Sequence, residues 1–223
     1  MKKIGICLEV WGDYALFTRP EMKAERVSYD MMTPSAARGL VESIFWHPGL
    51  SWIIDRIHVC KPLQFTNLRR NEVKATVSAR TAKTVMERGS GSLYLATSEE
   101  IQQRAALLLQ DVHYVIEAHF VLTDRAAPTD NPGKFQDIVK RRIHRGQCYH
   151  APYFGCREFP AHFQWCQELP PCPPELQGQR DLGWMLWDMD YSDPQEIRPL
   201  FFRAVLQDGV LTVPTRDSGE VRG

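Results

Sequence analysis

Hydrophobic and polar positions follow two different periods in the first part of the chain. Residues 4–11 alternate loosely and are rich in strand-forming side chains, which predicts a β-strand. Residues 33–46 instead place apolar side chains at helical spacing, namely Ala36, Ala37, Leu40, Val41 and Ile44. Thr33 stands at the start of this segment as a candidate N-cap. The pattern therefore predicts a strand, a loop and a helix in that order.

Two further segments, 52–63 and 112–122, alternate in the way that half-buried strands do. A polar and basic stretch lies between them and contains the string RRNEV together with Gly89 and Gly91. This composition predicts a flexible hairpin or loop inserted around residues 64–100.

The next segment carries helix signals at both ends. Asn131 is a candidate N-cap, Pro132 suits the first helical position, and Gly146 can close the helix in the left-handed conformation. We expect a helix over 132–145 with an apolar stripe on one side and a cationic stripe on another. The apolar stripe consists of Phe135, Ile138, Val139 and Ile143, and the cationic one of Lys134, Arg141 and Arg145, flanked by Lys140, Arg142 and His144.

Residues 154–165 predict one more strand, which completes the order strand, helix, strand, strand, helix, strand. That order is the split βαβ of a ferredoxin-like, RRM-like α+β fold. The proline-rich string ELPPCPPE then marks a break, so we expect a main domain over residues 1–168. Three further strands, the last two joined at Asp208 and Gly209, predict a small antiparallel β-subdomain over residues 169–223.

The composition excludes some classes of protein but does not indicate a binding partner. The 223 residues include 27 basic and 27 acidic side chains, so any electrostatic recognition must come from local charge. No apolar run approaches the length of a membrane span, and we expect a cytoplasmic protein. The six cysteines form no CxxC pair, which favours reduced and mostly buried thiols over a zinc site.

The basic helix is the strongest local charge feature. Lys134 in its first turn, beside unpaired backbone N–H groups, is placed to bind an anion such as a phosphate. The cationic stripe could follow a sugar-phosphate backbone, while nearby aromatic side chains stack on unpaired bases. A solvated helix face, with Asp137 paired to Arg141, explains the same residues without any ligand.

A second polar group lies on the predicted strand 112–122. His113, Glu117 and His119 share one face by alternation, which suits a metal site. Neighbouring polar residues on a solvated sheet face explain them equally well, and we predict no bound metal.

Long strings along the chain resemble a known family. They are VWGDYALFTRPEMKAERVSYD, TPSAARGLVESIFW, RRNEV, DVHYVIEAHF, GKxxDI, GCREF, LGWML and PLFFRAVLQDGV. Together they resemble the CRISPR-associated RAMP proteins, specifically the Cas-five subunit of subtype I-C systems. The resemblance covers nearly the whole chain and implies a ferredoxin-like domain with a small C-terminal sheet.

The resemblance also implies a function. Such a subunit cuts the precursor CRISPR transcript within each repeat and stays on the 5′ handle of the guide RNA in the Cascade complex. The implied partners are the repeat RNA, the large subunit, the backbone subunits and, through the complex, target DNA. The implied cleavage is independent of metal and cofactor, because the ribose 2′-OH attacks the adjacent phosphate.

This sequence departs from the family pattern at two positions. Phe45 stands where the family usually has Tyr or His, and Phe135 stands where a histidine follows the lysine that matches Lys134. Phenylalanine cannot transfer a proton, so Lys134 is the one matched catalytic residue. The candidate substitutes are His47, His144, Tyr149 and His150. The alternative is a non-catalytic subunit that caps the 5′ handle; a general RRM-like RNA binder is a third hypothesis.

Candidate RNA contacts are cationic or aromatic side chains in the matched segments. They are Arg19, Lys23, Arg26, Arg38, Arg69, Arg70, Lys140, Arg141, Arg142, Arg145, Tyr149, Tyr153 and Arg157.

Overall fold

A computed structural model describes residues 5–22, 24–193 and 195–223 of the chain. The strands are β1 Gly5–Ala15, β2 Arg26–Val27, β3 Leu50–Val59, β4 Gln64–Val73, β5 Ile101–Leu122, β6 His162–Trp165, β7 Gln179–Asp190, β8 Arg198–Gln207 and β9 Val210–Thr212. The α-helices are α1 Pro34–Ile44, α2 Ala79–Arg88 and α3 Pro132–His144. Two single turns of 3₁₀-helix cover Pro174–Leu176 and Arg216–Ser218.

The strands form one large sheet around β5. Its hydrogen-bonded order is β6-β1-β5-β3-β9-β8-β7, with β2 and β4 paired to β5 beside this path. All of these pairs are antiparallel except β2 with β5. The protein is therefore a mixed α/β structure with a large antiparallel sheet, which agrees with the α+β class expected from the sequence.

Both long helices begin where their capping signals predict. Thr33 Oγ1 accepts a hydrogen bond from the Ala36 N–H at 3.2 Å, and Asn131 Oδ1 accepts one from the Lys134 N–H at 2.9 Å. A proline occupies the first turn of each helix, where its missing N–H has no partner to lose. The helix α3 ends one residue earlier than predicted, with Arg145 as its C-cap.

The two helices contact each other and pack against the sheet through their apolar stripes. Of the predicted stripe residues, Ala36 and Ile138 are partly buried and the others are fully buried. Each fully buried Leu, Ile, Val or Phe contributes roughly 1.5–3 kcal/mol relative to an exposed one. This packing fixes where the two ends of α3 stand on the sheet.

The inserted segment is an ordered arm. β4 pairs with the first half of β5 from Gln64↔Gln110 to Val73↔Ile101, and α2 lies at the tip. The helix α2 was not predicted, although Ser78 caps its start and Gly89 closes it with a φ of 63°. None of its residues is buried. Because α2 does not pack into the core, its sequence does not have the pattern of a core helix.

Two predicted strands have different bounds in the structure. β5 begins at Ile101 and not at 112, because its first half pairs with β4. The strand predicted over 154–165 is reduced to β6, since Gly155 has a positive φ of 79° and Pro160 has no N–H to donate. Residues 152–161 form a tight loop instead, in which Tyr153 bridges to Pro160.

The C-terminal strands continue the same sheet. β9 pairs with β3 from Arg56↔Thr212 to His58↔Val210. The turn between β8 and β9 lies at Asp208 and Gly209 as predicted, and both residues have a positive φ, 49° and 75°. The division between residues 168 and 169 stays a prediction. Within the described residues, no helix is both long and apolar enough to span a bilayer.

Gly155 holds the loop 152–161 against β1. A Cβ at this position would lie 2.0 Å from the Leu16 carbonyl oxygen. We expect Gly155→Ala to lower the melting temperature, since a left-handed conformation alone costs an L-residue about 1–2 kcal/mol, equivalent to about 2–8 °C in a domain of this size. Gly178→Ala is the matched control, because Gly178 has a φ of 82° and open space around its Cα. Equal losses in the two variants, measured by calorimetry, would contradict the steric role of Gly155.

Candidate nucleic-acid interface

Lys134 occupies the first turn of α3, as the sequence predicts, but it already has an acidic partner. Its Nζ donates to Asp130 Oδ1 at 2.8 Å, and its side chain is 45% exposed. Asp130 Oδ2 accepts a second hydrogen bond from the Ala127 N–H at 3.0 Å. The lysine is therefore fixed at the helix end while one side of its ammonium group still faces solvent.

Phe135 points the other way, into the core. It is 1% exposed, and its ring centroid lies 5.9 Å from that of Phe45 and 6.2 Å from that of Phe120. Phe45 is 5% exposed and its carbonyl accepts a hydrogen bond from Trp52 Nε1 at 2.9 Å. Both apolar replacements are thus packing residues that join α1, α3 and the sheet.

His47 is the candidate substitute that lies beside Lys134. Its ring centroid is 4.9 Å from that of Phe135, and its Nδ1 is 3.9 Å from Asp130 Oδ2. Nδ1 accepts a hydrogen bond from the Gly49 N–H at 3.0 Å, which leaves Nε2 as the protonated nitrogen of the neutral ring. Asp130 therefore stands between an imidazole and an ammonium group. We call His47, Asp130 and Lys134 the His-Asp-Lys cluster.

Sequence reasoning did not identify Asp130. It precedes the N-cap of α3 by one residue and stands four residues before Lys134, which is the spacing of an ion pair along a helix. The hydrogen bond from Lys134 lowers the pKa of the Asp130 carboxyl, with smaller contributions from the Ala127 N–H and from His47. The spacing of Asp130 and Lys134 in the sequence could have indicated this ion pair, whereas the sequence does not indicate that His47 approaches Asp130.

The other candidate substitutes lie at the far end of α3. His144 donates from Nδ1 to the Lys140 carbonyl at 2.8 Å and stacks on Trp165. The backbone N–H groups of Tyr149 and His150 both donate to the Ser43 carbonyl, at 2.8 and 3.1 Å. Ten helical residues separate Lys134 from His144, about 15 Å along the axis. His144 is therefore not brought to the His-Asp-Lys cluster, whereas Tyr149 and His150 are held near the end of α1.

Several arginines predicted to contact RNA are held in ion pairs. Arg19 binds Asp30 at 2.9 Å, Arg26 binds Glu72 at 3.2 Å, and Arg38 binds both Asp188 and Glu42 at 2.7 and 2.8 Å. Arg70 binds Glu158. These side chains hold the fold together and have little free charge to offer a phosphate. Lys23 lies outside the described residues.

The remaining predicted cations form no ion pair within the described part of the chain. They are Arg69, Lys140, Arg141, Arg142, Arg145 and Arg157. Arg142 is partly buried and donates from Nη1 to the Ile44 carbonyl at 2.6 Å, so it ties α3 to the end of α1. The others are exposed. The proposed pair between Asp137 and Arg141 is not formed.

The polar face of the sheet is organised by paired side chains. His113 binds Glu9 at 2.8 Å, and His58 binds Glu117 at 2.6 Å. His119 binds Asp55 at 2.7 Å. The residues that share a face of β5 thus turn to neighbouring strands and not to one another. Within the described residues, no three His, Cys, Asp or Glu side chains are arranged to hold a metal ion.

The cysteines are free thiols. Only Cys166 is fully buried and Cys148 is exposed, so the expectation of mostly buried thiols was wrong. Burial nevertheless raises the pKa of Cys7 and of Cys60 to about 12. Both therefore remain protonated and unreactive at neutral pH.

The fold places the chain in a class that already contains solved structures. A structure described as a CRISPR-associated protein superposes with a TM-score of 0.69 at 22% identity, over 98% of this chain and 96% of that one. A functionally uncharacterized protein from Streptococcus mutans, SMU1763c, superposes with a TM-score of 0.67 at 19% identity, over 98% and 97%. At such identities the likeness shows a shared fold.

Sequence comparison identifies the family. The model of the CRISPR-associated protein (Cas_Cas5) family matches residues 5–214. A protein of Mannheimia succiniciproducens named CRISPR pre-crRNA endoribonuclease Cas5d is 48% identical over 222 residues, 97% of this chain and 98% of that one. A Thermus thermophilus protein of the same name is 38% identical over 233 residues, 96% and 93% of the two chains. The chain belongs to the Cas5 family of CRISPR-associated proteins, in its subtype I-C branch.

Lys134 should control the titration of Asp130. Because its hydrogen bond is the largest cause of the lowered pKa, Lys134→Met is expected to move that pKa back up towards the ordinary range of an aspartate. A carboxyl whose pKa is lowered by folding stabilises the protein above its unfolded pKa, and this contribution disappears as pH falls through the folded value. Carboxyl ¹³C NMR titration measures the shift. Lys140→Met is the control, and an unchanged Asp130 curve in Lys134→Met would contradict the assignment.

Proposed function

We propose that this protein binds the repeat of precursor CRISPR RNA, cleaves it, and remains on the 5′ handle of the guide RNA as a Cascade subunit. The names of the relatives at 48% and 38% identity support the RNA substrate and the nuclease activity. The observation that carries the proposal is the His-Asp-Lys cluster, which supplies an imidazole and a cation at one end of α3 although Phe45 and Phe135 supply neither. Partners would be the large and backbone subunits, and through them target DNA.

A ferredoxin-like core would place this cluster beside the RNA. Support for that core comes from the strand order β6-β1-β5-β3, with α1 between β1 and β3 and with α3 between β5 and β6. This is the arrangement of two interleaved βαβ units on one antiparallel sheet. Both helices pack through their apolar stripes, so the start of α3 and the outer faces of both helices remain available to a ligand.

The cleavage needs no metal in this proposal. The ribose 2′-oxygen attacks the adjacent phosphorus, its proton passes to water, and the bond from phosphorus to the 5′-oxygen breaks. The products are a 2′,3′-cyclic phosphate and a 5′-OH. Lys134 would stabilise the negative charge that develops on the phosphate oxygens.

His47 would donate the proton that the leaving 5′-oxygen requires. Nε2 is the nitrogen free to face the RNA, since Nδ1 is engaged by Gly49. When Nδ1 takes up a proton and releases Gly49, Asp130 Oδ2 at 3.9 Å is the carboxylate that stabilises the resulting imidazolium. Asp130 would therefore act as a positioning residue for both His47 and Lys134.

A non-catalytic handle-binding subunit is the second candidate. It is favoured because Phe45 and Phe135 are buried phenylalanines. Two proton-transfer groups are therefore missing from the positions where the family usually has them. In that case Lys134 would bind a phosphate without any reaction, and another protein would cut the transcript.

Cleavage of the cognate repeat RNA in EDTA separates the two candidates. We expect the wild-type protein to cut this RNA and to leave intact a substrate with a 2′-deoxy sugar at the scissile position. His47→Ala and Lys134→Ala should each slow single-turnover cleavage by about 10²–10³-fold, the range typical of a lost proton donor or charge-stabilising group. His162→Ala is the control, because His162 is an exposed histidine on β6 that stacks on Trp11.

The outcomes are distinct. An intact repeat that is nevertheless bound would support the handle-binding subunit. Undiminished cutting by Lys134→Ala and His47→Ala would show that other residues perform the reaction, and cutting abolished by EDTA would overturn the metal-independent mechanism.

Salt dependence tests the cationic side of α3. Neutralising Lys140, Arg141 and Arg145 together should reduce the slope of log affinity against log salt by about two, since each phosphate contact to a single strand contributes about 0.7. A variant lacking Arg56, Arg180 and Arg203 has the same change in net charge on β3, β7 and β8, and its slope should match that of the wild type. Equal slopes in all three proteins would mean that this side of α3 is a solvated face.

A further inference from the structure

A groove bordered by exposed aromatic side chains lies along α1, and Trp46, the residue before His47, is one of its lining residues. It runs between α1, the loop 149–160 and the end of β7, and encloses about 960 Å³. Four aromatic rings line it, those of Trp46, Tyr149, Tyr153 and Tyr191. Trp46 is 59% exposed, Tyr149 75% and Tyr191 62%. A group of exposed rings around one cleft marks a binding surface.

The walls of this groove are held by hydrogen bonds to the core of the fold. Tyr149 and His150 donate from their backbone N–H groups to the Ser43 carbonyl near the end of α1. Arg38 joins the opposite wall, because its Nε and Nη2 bind the two carboxylate oxygens of Asp188 on β7 at 2.7 and 2.9 Å. The elements that carry the rings are therefore fixed before any ligand arrives.

Charge in the groove leaves one arginine without an acidic partner. Arg38 is paired with Asp188 and Glu42, and Arg157 also lines the groove, so the two arginines and two carboxylates of the lining balance. Arg157 has no ion pair within the described residues, and the exposed Arg145 stands four residues before Tyr149. Rings beside unpaired cations match a nucleic acid strand, whose bases are uncharged and stack while its phosphates are charged.

Trp46 connects the groove with the loop that carries His47. It lies between Phe45 and His47, and both of these pack against Phe135. Trp46 thus lines the groove, while the next residue along the chain belongs to the His-Asp-Lys cluster. A strand whose phosphate reaches Lys134 would place its neighbouring bases along these rings.

We propose that this groove binds unpaired nucleotides of the repeat RNA next to the scissile phosphate, with bases stacked on Trp46 and Tyr149. This inference rests on the function proposed above and adds a base-stacking site to it. It assigns a role to Trp46, and it makes Arg38 a positioning residue of the groove wall and not a phosphate contact.

The test uses repeat RNA that carries 2-aminopurine at unpaired positions beside the expected cleavage site. Wild-type protein should quench the fluorescence, because stacking on an aromatic ring quenches this base. Trp46→Ala and Tyr149→Ala should each reduce the quenching and weaken binding by about 5- to 150-fold, the equivalent of one lost base stack. Trp46→Phe keeps a ring and should restore most of the affinity.

Tyr94→Ala is the matched control, since Tyr94 is 82% exposed on the inserted arm and does not line the groove. Because Trp46 and Tyr149 are exposed, both variants are expected to melt within about 2 °C of the wild type, as surface substitutions usually do. A change in affinity without a change in melting temperature can therefore be assigned to the groove.

Each remaining outcome is decisive. Wild-type protein that fails to bind the repeat overturns both the groove and the proposed function. Binding by wild type with unchanged affinity and quenching in Trp46→Ala and Tyr149→Ala overturns the groove alone. If these variants bind RNA normally but no longer co-purify with the other Cascade subunits, the groove holds a protein segment and the inference is wrong.

Discussion

The packing of α3 against the end of α1 is the contact on which the functional surface depends. Phe135 touches Phe45, Phe120 and His47, and so joins one helix, the sheet and the loop that follows the other helix. Arg142 closes the same interface through its hydrogen bond to the Ile44 carbonyl. Because side chains on one helical turn point in different directions, the burial of Phe135 leaves Lys134 facing solvent. The same packing leaves Trp46 at the edge of the groove.

The helices α1 and α3 could be predicted from the sequence because their signals are local. Thr33 and Asn131 cap within three residues of themselves, and the apolar stripes of α1 and α3 read directly as faces. The bounds of β5 could not be predicted, because its first half is a strand only through pairing with β4. Asp111, with a φ of 52°, stands where the pairing with β4 ends, and Lys61 binds its carboxylate at 2.6 Å. Pairing between two strands leaves no periodic pattern of residues in the sequence from which it could be predicted.

The candidate site was predictable in part for the same reason. Lys134 follows from the start of a helix, which is local, whereas the approach of His47 to Asp130 requires the loop before β3 to meet the loop after β5. Among the predicted RNA contacts, Arg38 has a partner that the sequence does not reveal, since Asp188 is 150 residues away. In a chain with 27 cations and 27 anions, many cations find carboxylates in the fold. Lys134 is paired with Asp130, whereas the exposed Lys140, Arg141 and Arg145 gain their significance because they form no ion pair in the described structure.

The exchange of ionisable groups for Phe45 and Phe135 changes stability and chemistry in opposite directions. A histidine at the position of Phe135 would be almost fully buried and would have to remain neutral or find a partner there. Phenylalanine avoids that cost and adds ring contacts to the core, but in the proposed mechanism proton transfer then falls to His47 at the edge of the packed region. In the proposed function the subunit stays on its product and turns over once for each RNA, so slow cleavage is compatible with that function while loss of binding is not. This difference explains why a chain with a reduced set of proton-transfer groups can keep an elaborate surface of cations and aromatic rings around the site.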